Sequence, residues 1–213
     1  MQQASAIILA GGKSSRMGTD KAWLEWNGEP LIVRVMQRVA KLADEILISA
    51  NDAARFAALD ARVIPDTFPG AGPLAGIYAS LDAAKHAAAI VVACDMPFLN
   101  VGLLEYMLSF AEDYDVVLPN LPGAKRATDT ASGAFLRAKD LDLHPLHAVY
   151  TKHCLASMRA ALERGERRTI GFHSEVRVRV VTPDESARFD PLGRSVWNVN
   201  TPEEWAELSK LSF

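Results

Sequence analysis

The strongest constraint in this sequence is a repeated switch between two hydrophobic rhythms. Short, almost continuously apolar runs at residues 6–10, 45–50, 62–65, 88–94 and 115–119 alternate with stretches whose apolar residues share one helical face. Within 31–42 that face holds Ile32, Val35, Met36, Val39 and Leu42, and 74–85 and 101–110 repeat the one-sided spacing. A strand apolar at every position must be covered on both sides, and the intervening helices are the available cover. The alternation predicts an α/β fold: a mostly parallel central sheet, right-handed crossovers and helices on both faces.

The rhythm breaks over 120–144, a stretch rich in small, polar and charged residues that holds Gly123 and Gly133 and has no sustained period beyond 134–136. It is expected to be an insertion or a mobile loop. Regularity returns with "HAVY" at 147–150, read as a strand, and with a helix over 152–166 whose face is Leu155, Met158, Ala161 and Leu162 and whose end is marked by Gly165. "VRVRVV" at 176–181 alternates as a half-buried strand does. In "NTPEEWAEL", Thr201 takes the N-cap, Pro202 the first helical position and two glutamates the first turn, where the helix dipole favours them. With no internal repeat and no linker-like segment, residues 1–213 are expected to form a single domain.

The composition narrows the function classes. At 213 residues and 49% hydrophobic, the chain can bury a sizeable core. A formal net charge of -3 and a pI near 6.0 argue against a surface built for nucleic acid, so any positive site is local. Cys94 and Cys154 are too few and too distant for a disulfide framework or a cysteine-rich zinc site. No apolar run reaches membrane-spanning length, and residues 1–5 are too short and polar for a secretory signal, so a cytoplasmic location is expected, with neither membrane nor nucleic acid as partner.

A local positive site is visible in "AIILAGGKSSRMGTDKAWLEWNG", residues 6–28, where an apolar strand runs into glycines and then into Lys13, Arg16 and Lys21. Ligands of open α/β sheets bind at the carboxyl ends of strands, which is where this loop lies. The spacing of Gly11, Gly12 and Gly18 satisfies neither the dinucleotide fingerprint nor the P-loop pattern. Glycines would still let backbone N–H groups approach phosphate oxygens while the three cations neutralise them, so a triphosphate is the natural guest; a solvated basic turn is the competing reading. "IVVACDMPFL" decides between them, because it delivers Asp95 to the same sheet edge. One carboxylate beside substrate phosphates suits Mg²⁺, although taken by itself Asp95 reads more readily as the start of the turn before Met96 and Pro97. Cys94 is read as a small buried residue, and His144, His147, His153 and His173 show no metal-ligand spacing.

These motifs carry a resemblance. "LAGGKSSRMGTDKAWLEWNGEPLI", "IPDTFPGAGPLAGI", "ACDMPFL", "HPLHAVYTKHCL" and "NVNTPEE", in this order and over most of the chain, resemble the molybdenum cofactor guanylyltransferase family. The first motif is shared by many nucleotidyltransferases; the G-P-L-A-G segment (Gly72 to Gly76), C-D-M-P and N-V-N-T-P narrow it. The resemblance implies a Rossmann-like nucleotidyltransferase fold and transfer of GMP from GTP to molybdopterin, with release of pyrophosphate. It implies Leu9, Ala10, Gly11 and Gly12 along the nucleotide, Arg16 and Lys21 on the triphosphate, Asp95 as ligand of Mg²⁺, and Asn51 and Asp66 at the nucleoside. Asn198 and Asn200 would complete the metal shell or hold the second substrate; capping the following helix is their bland alternative. For Lys21 the bland alternative is an ion pair with Asp20.

The resemblance also favours guanine over cytosine, since similar cytidylyltransferases read L-A-A-G where this chain has Leu9 to Gly12, and a bare glycine leaves room for a purine. It makes GTP and molybdopterin the substrates and leaves room for transient contact with molybdenum cofactor biosynthesis proteins or acceptor molybdoenzymes. The chain departs from the family pattern at 120–144, longer than the usual connection and carrying Lys125, Arg126, Arg137 and Lys139. A relative using CTP or a sugar phosphate, and a catalytically silent nucleotide-binding subunit, are the competing functions; Lys21 and Asp95 together speak against the silent one.

Overall fold

The computed structural model describes residues 3–11, 20–121, 142–198 and 205. In chain order the elements are β1 (Ser5–Leu9), β2 (Glu25–Trp26), β3 (Glu29–Pro30), α1 (Leu31–Val39), β4 (Glu45–Ser49), β5 (Arg62–Ile64) and α2 (Pro73–Ala83). They continue with β6 (Ala88–Ala93), α3 (Val101–Leu108), β7 (Val116–Pro119), β8 (His147–Thr151), α4 (Leu155–Glu163), β9 (Val178–Val181) and α5 (Pro183–Ala187).

Seven strands form one sheet in the order β5-β4-β1-β6-β8-β7-β9. The pairings of β1 with β4 and β6, of β4 with β5, and of β7 with β9 are parallel, whereas β8 runs antiparallel to both β6 and β7. The carboxyl ends of β1, β4, β5 and β6 therefore share one edge.

Residue alternation within the strands explains the layers. Ala6, Ile8, Ile90, Val92, Val117 and Val149 pack with Ile32, Val35 and Val39 of α1 and Leu103, Leu104 and Met107 of α3. Their neighbours Ile7, Leu47, Ala89, Val91, Val116 and Ala148 face the other way, onto Leu74, Ile77 and Leu81 of α2 and Met158, Ala161 and Leu162 of α4. Successive strand residues point to opposite faces, so a continuous apolar run feeds two cores at once. Each fully buried Ile or Val contributes about 1.5–3 kcal/mol. The mostly parallel sheet with helices on both faces agrees with the sequence reading.

The differences lie at element ends. The strand expected over 176–181 begins only at Val178, after a 3-10 turn at His173–Glu175. The backbone N–H of Arg177 donates instead to Asp115 Oδ2 at 2.9 Å, and its guanidinium binds the same carboxylate. α4 starts at Leu155 because Lys152–Cys154 forms another 3-10 turn. The stretch 120–144, expected to be irregular, has an ordered base: Asn120 bridges Leu143 antiparallel, His144 N donates to Pro119 O at 3.2 Å, and Asp142 N to Asn120 Oδ1 at 3.1 Å. This isolated bridge closes the base of the stretch out of register with the β7–β8 pairing. Its basic residues Lys125, Arg126, Arg137 and Lys139, like Thr201 and Pro202, lie outside the described residues.

Candidate active site

The carboxyl edge of the sheet is built by hydrogen bonds that run one residue past the strands. Cys94 N donates to Leu9 O, Ala10 N to Ser49 O and Ala50 N to Ile64 O, each at 3.1 Å. The Leu9 carbonyl and the Ala10 N–H are thereby committed to the sheet, and Ala10 is buried. The first exposed position on the glycine loop is Gly11. Gly12, Lys13 and Arg16 lie outside the described residues.

The loop's far end is firmly mounted. Asp20 caps a 3-10 turn at Lys21–Trp23, its Oδ1 accepting from Ala22 N at 3.2 Å. Its Oδ2 accepts from both Nε and Nη2 of Arg55, the former at 2.9 Å. Arg55 lies over the ring of its neighbour Phe56, which in turn stacks on Trp23 with ring centroids 6.1 Å apart. Ala22 is buried beneath the turn.

From this mount Lys21 extends to Asp95, Nζ to Oδ2, at 3.4 Å. The ion pair with Asp20, its bland alternative, is absent among the described residues; Asp20 is taken by Arg55. Both side chains of the Lys21–Asp95 pair are about four-fifths shielded, at 21% and 15% exposure. Asp95 follows β6 on a loop that α1 clamps from below: Arg34 Nε donates to Pro97 O at 3.1 Å and Arg38 Nη1 to Leu99 O at 2.8 Å. Burial, then the nearby Arg34, holds the Arg38 guanidinium below its usual pKa. The four charges of Asp20, Lys21, Arg55 and Asp95 gather around one buried thiol. Burial pushes the Cys94 pKa up, Asp95 and Asp20 push it further, and Lys21 and Arg55 oppose them. That thiol stays protonated, in keeping with its reading as a packing residue.

Asn51 and Asp66 meet just past the ends of the neighbouring strands β4 and β5. Asp66 N donates to Asn51 Oδ1 at 2.8 Å, and Asn51 Nδ2 donates to Asp66 Oδ2 at 3.2 Å. The G-P-L-A-G segment explains itself here. Gly72 has φ 75° and caps α2, with Pro73 at the first helical position. A Cβ on Gly76 would stand 2.3 Å from Ser49 Oγ and 3.3 Å from Asp66 Oδ1, so only glycine lets α2 approach this edge.

The C-terminal segment reaches the site through aromatic contacts. The hairpin β2–β3 turns at Asn27 and Gly28, both with positive φ, and presents Trp26 edge-on to Phe98 at 4.7 Å. Trp197 also meets Phe98 edge-on at 6.0 Å, and Trp205 meets Trp26 at 6.1 Å. Asn198 is thereby brought beside the loop that carries Asp95. Its Oδ1 is shielded from solvent without a hydrogen-bond partner among the described residues. Asn200 lies outside them. The histidines stay apart from this constellation: burial pushes His147 down to about 3 and His173 down to about 4, which keeps both neutral.

Sequence reasoning missed Arg55, Arg34 and Arg38. Nothing local distinguishes them from solvated arginines, since their partners lie 35 to 63 residues away.

The arrangement sets one cation and one carboxylate together at the carboxyl edge of the sheet. A family model described as a MobA-like NTP transferase domain matches residues 6–185. The chain belongs to that family. Within it, a probable molybdenum cofactor guanylyltransferase of Pelotomaculum thermopropionicum is 36% identical over 204 residues, covering 96% of this chain and 91% of the relative. A molybdenum cofactor guanylyltransferase of Desulfosudis oleivorans is 32% identical over 206 residues, covering 96% and 93%. Among solved structures, molybdopterin-guanine dinucleotide biosynthesis protein A from Archaeoglobus fulgidus superposes with a TM-score of 0.77 over 97% of each chain at 23% identity, a likeness of fold.

Proposed function

We propose that this chain is a molybdenum cofactor guanylyltransferase: it transfers GMP from GTP to the terminal phosphate of molybdopterin and releases pyrophosphate. A phosphate oxygen of molybdopterin forms a bond to the α-phosphorus as the bond from that phosphorus to the α–β bridging oxygen breaks. The electron pair leaves on pyrophosphate, and the product is a guanine dinucleotide. Because the nucleophile is already anionic, the protein's contribution is positioning and charge stabilisation.

The observation that carries this reading is the Lys21–Asp95 pair, which puts one cation and one carboxylate together at the edge where β1 and β6 end. Lys21 would follow negative charge as it moves onto the leaving pyrophosphate. Asp66, braced by Asn51, would accept from guanine or a ribose hydroxyl, and the exposed Gly11 would let the base or ribose approach. Arg16 and Gly12 complete the triphosphate loop in this reading, and Asn200 joins Asn198 toward the second substrate.

The donor set fits Mg²⁺. No group of three or more His, Cys, Asp or Glu side chains among the described residues could hold a metal, which a structural site would require. Mg²⁺ beside a nucleotide needs only one or two protein carboxylates because phosphates supply the other oxygens. Asp95 would hold it, and Asn198 Oδ1, which has no hydrogen-bond partner among the described residues, would serve either as a second hard oxygen for the ion or toward the second substrate. When bound, the ion supplies neutralisation of phosphate charge.

Base choice is tested by thermal unfolding. A ligand that binds only the native state raises Tm by mass action. GTP with Mg²⁺ is expected to raise it and CTP at the same concentration to leave it nearly unchanged; a larger rise with CTP would support the cytidylyltransferase alternative instead.

A further inference from the structure

We propose that Arg55 is a positioning residue for nucleotidyl transfer: by occupying Asp20, it prevents that carboxylate from capturing the adjacent Lys21 ammonium, which is thereby directed to Asp95. The inference rests on the guanylyltransferase reading for what Lys21 does, but its geometry stands in the protein alone.

Two carboxylates compete for one lysine in this proposal, one adjacent along the chain and one across the sheet edge. Asp20 is next to Lys21 in sequence, and Asp95 is 74 residues away. An ammonium is a compact point charge on a flexible stem and would be shared between two equivalent carboxylates. They are not equivalent here. Both oxygens of Asp20 are engaged, Oδ1 by Ala22 N and Oδ2 by two N–H groups of Arg55. A guanidinium fork suits this task because it binds through fixed, parallel donors and stays charged.

The electrostatics agree. Asp20, Lys21, Arg55 and Asp95 all act on the buried Cys94 thiol, the carboxylates in one direction and the cations in the other. Among the described residues these four charges form two ion pairs, Lys21 with Asp95 and Arg55 with Asp20. Removing Arg55 takes from Asp20 the guanidinium that its Oδ2 accepts from among the described residues. Asp20 then becomes the nearer partner along the chain, and Lys21 is drawn from the phosphates toward its neighbour. The Arg55–Asp20 contact is 28% and 32% exposed, so it adds little to stability and is screened by salt less than an open pair.

A structural brace and an electrostatic director predict different double mutants. For Arg55→Gln, kcat is expected to fall about tenfold while KM for GTP changes less than about twofold, the signature of a misplaced catalytic group. Asp20→Asn keeps an oxygen to cap Ala22 N but removes the competing charge. The double variant Asp20→Asn/Arg55→Gln should therefore recover to within about threefold of wild type, a non-additive rescue. A double variant as slow as Arg55→Gln, or slower, would overturn the proposal in favour of a brace.

A second measurement needs no turnover. In nucleotide-free protein with ¹³C-labelled lysine, the Lys21 Cε resonance should respond to Asp95→Asn in the wild-type background and to Asp20→Asn in the Arg55→Gln background. A Lys21 resonance that tracks Asp95 in both overturns the inference, even if the guanylyltransferase reading stands. Wild-type protein that makes no dinucleotide, with the resonance behaving as expected, fails that reading alone. Arg55→Met, which keeps the methylenes over Phe56, carries the same expectations should Arg55→Gln fold poorly.

Discussion

Lys21 Nζ and Asp95 Oδ2 lie 3.4 Å apart although 74 residues separate them in sequence. A part-exposed pair of this kind stabilises a fold by about 1 kcal/mol or less. In the proposed reaction its importance is chemical, because it puts the two opposite charges that phosphate transfer needs at one point of the sheet edge.

Asp95→Asn keeps the shape of the side chain and removes its charge. Activity is expected to fall about a hundredfold or more, since the hard anionic oxygen for Mg²⁺ is lost. Tm should change little. Steady-state kinetics with a parallel melting curve check this; full activity would remove Asp95 from the site.

Lys21→Ala should weaken GTP binding modestly and slow turnover strongly, because its contact strengthens as charge builds on pyrophosphate. A rise in KM with kcat unchanged would instead assign Lys21 to ground-state binding.

Gly76→Ala tests the close approach of α2. The new methyl would meet Ser49 Oγ at 2.3 Å, so the helix or the serine must move. A loss of about 1–3 kcal/mol in urea unfolding is expected from such overpacking. Adding Ser49→Ala should return part of it, and a fully stable single variant would show that the edge is looser than described.

Acid stability has a specific contributor in Glu185. Hydrogen bonds led by the Thr182 N–H hold its pKa down at about 2, from an ordinary 4.5, with Tyr106 OH and Arg179 as further partners. A depressed carboxyl pKa stabilises the fold above the unfolded value and ceases to do so as pH falls through the folded one. Stability should therefore drop between about pH 4.5 and 2, and Glu185→Gln should flatten that part of the Tm profile. An unchanged slope would remove Glu185 as a cause.

The sheet was legible where burial on both faces left continuous apolar runs, as at Ile7 and Ile8 or Val91 and Val92. Its order was not. That β8 enters between β6 and β7 against their direction depends on which backbone N–H meets which carbonyl, and backbone groups leave no mark on residue identity. The site divides in the same way. Lys21 and Asp95 stood out because each follows an apolar strand at a glycine- or proline-rich turn. Arg34 and Arg38 bind the carbonyls of Pro97 and Leu99, and Arg55 binds a carboxylate from another loop, so their roles exist only after folding. Asn51 was readable as a candidate but not as the brace of Asp66.

The most direct measurement is product formation: purified protein, GTP, Mg²⁺ and molybdopterin, with mass spectrometry for the pterin product and a coupled assay for pyrophosphate. Molybdopterin guanine dinucleotide and pyrophosphate should appear in equal amounts, and only when molybdopterin is present. Pyrophosphate without a dinucleotide, or a cytosine dinucleotide formed faster from CTP, would contradict the assignment.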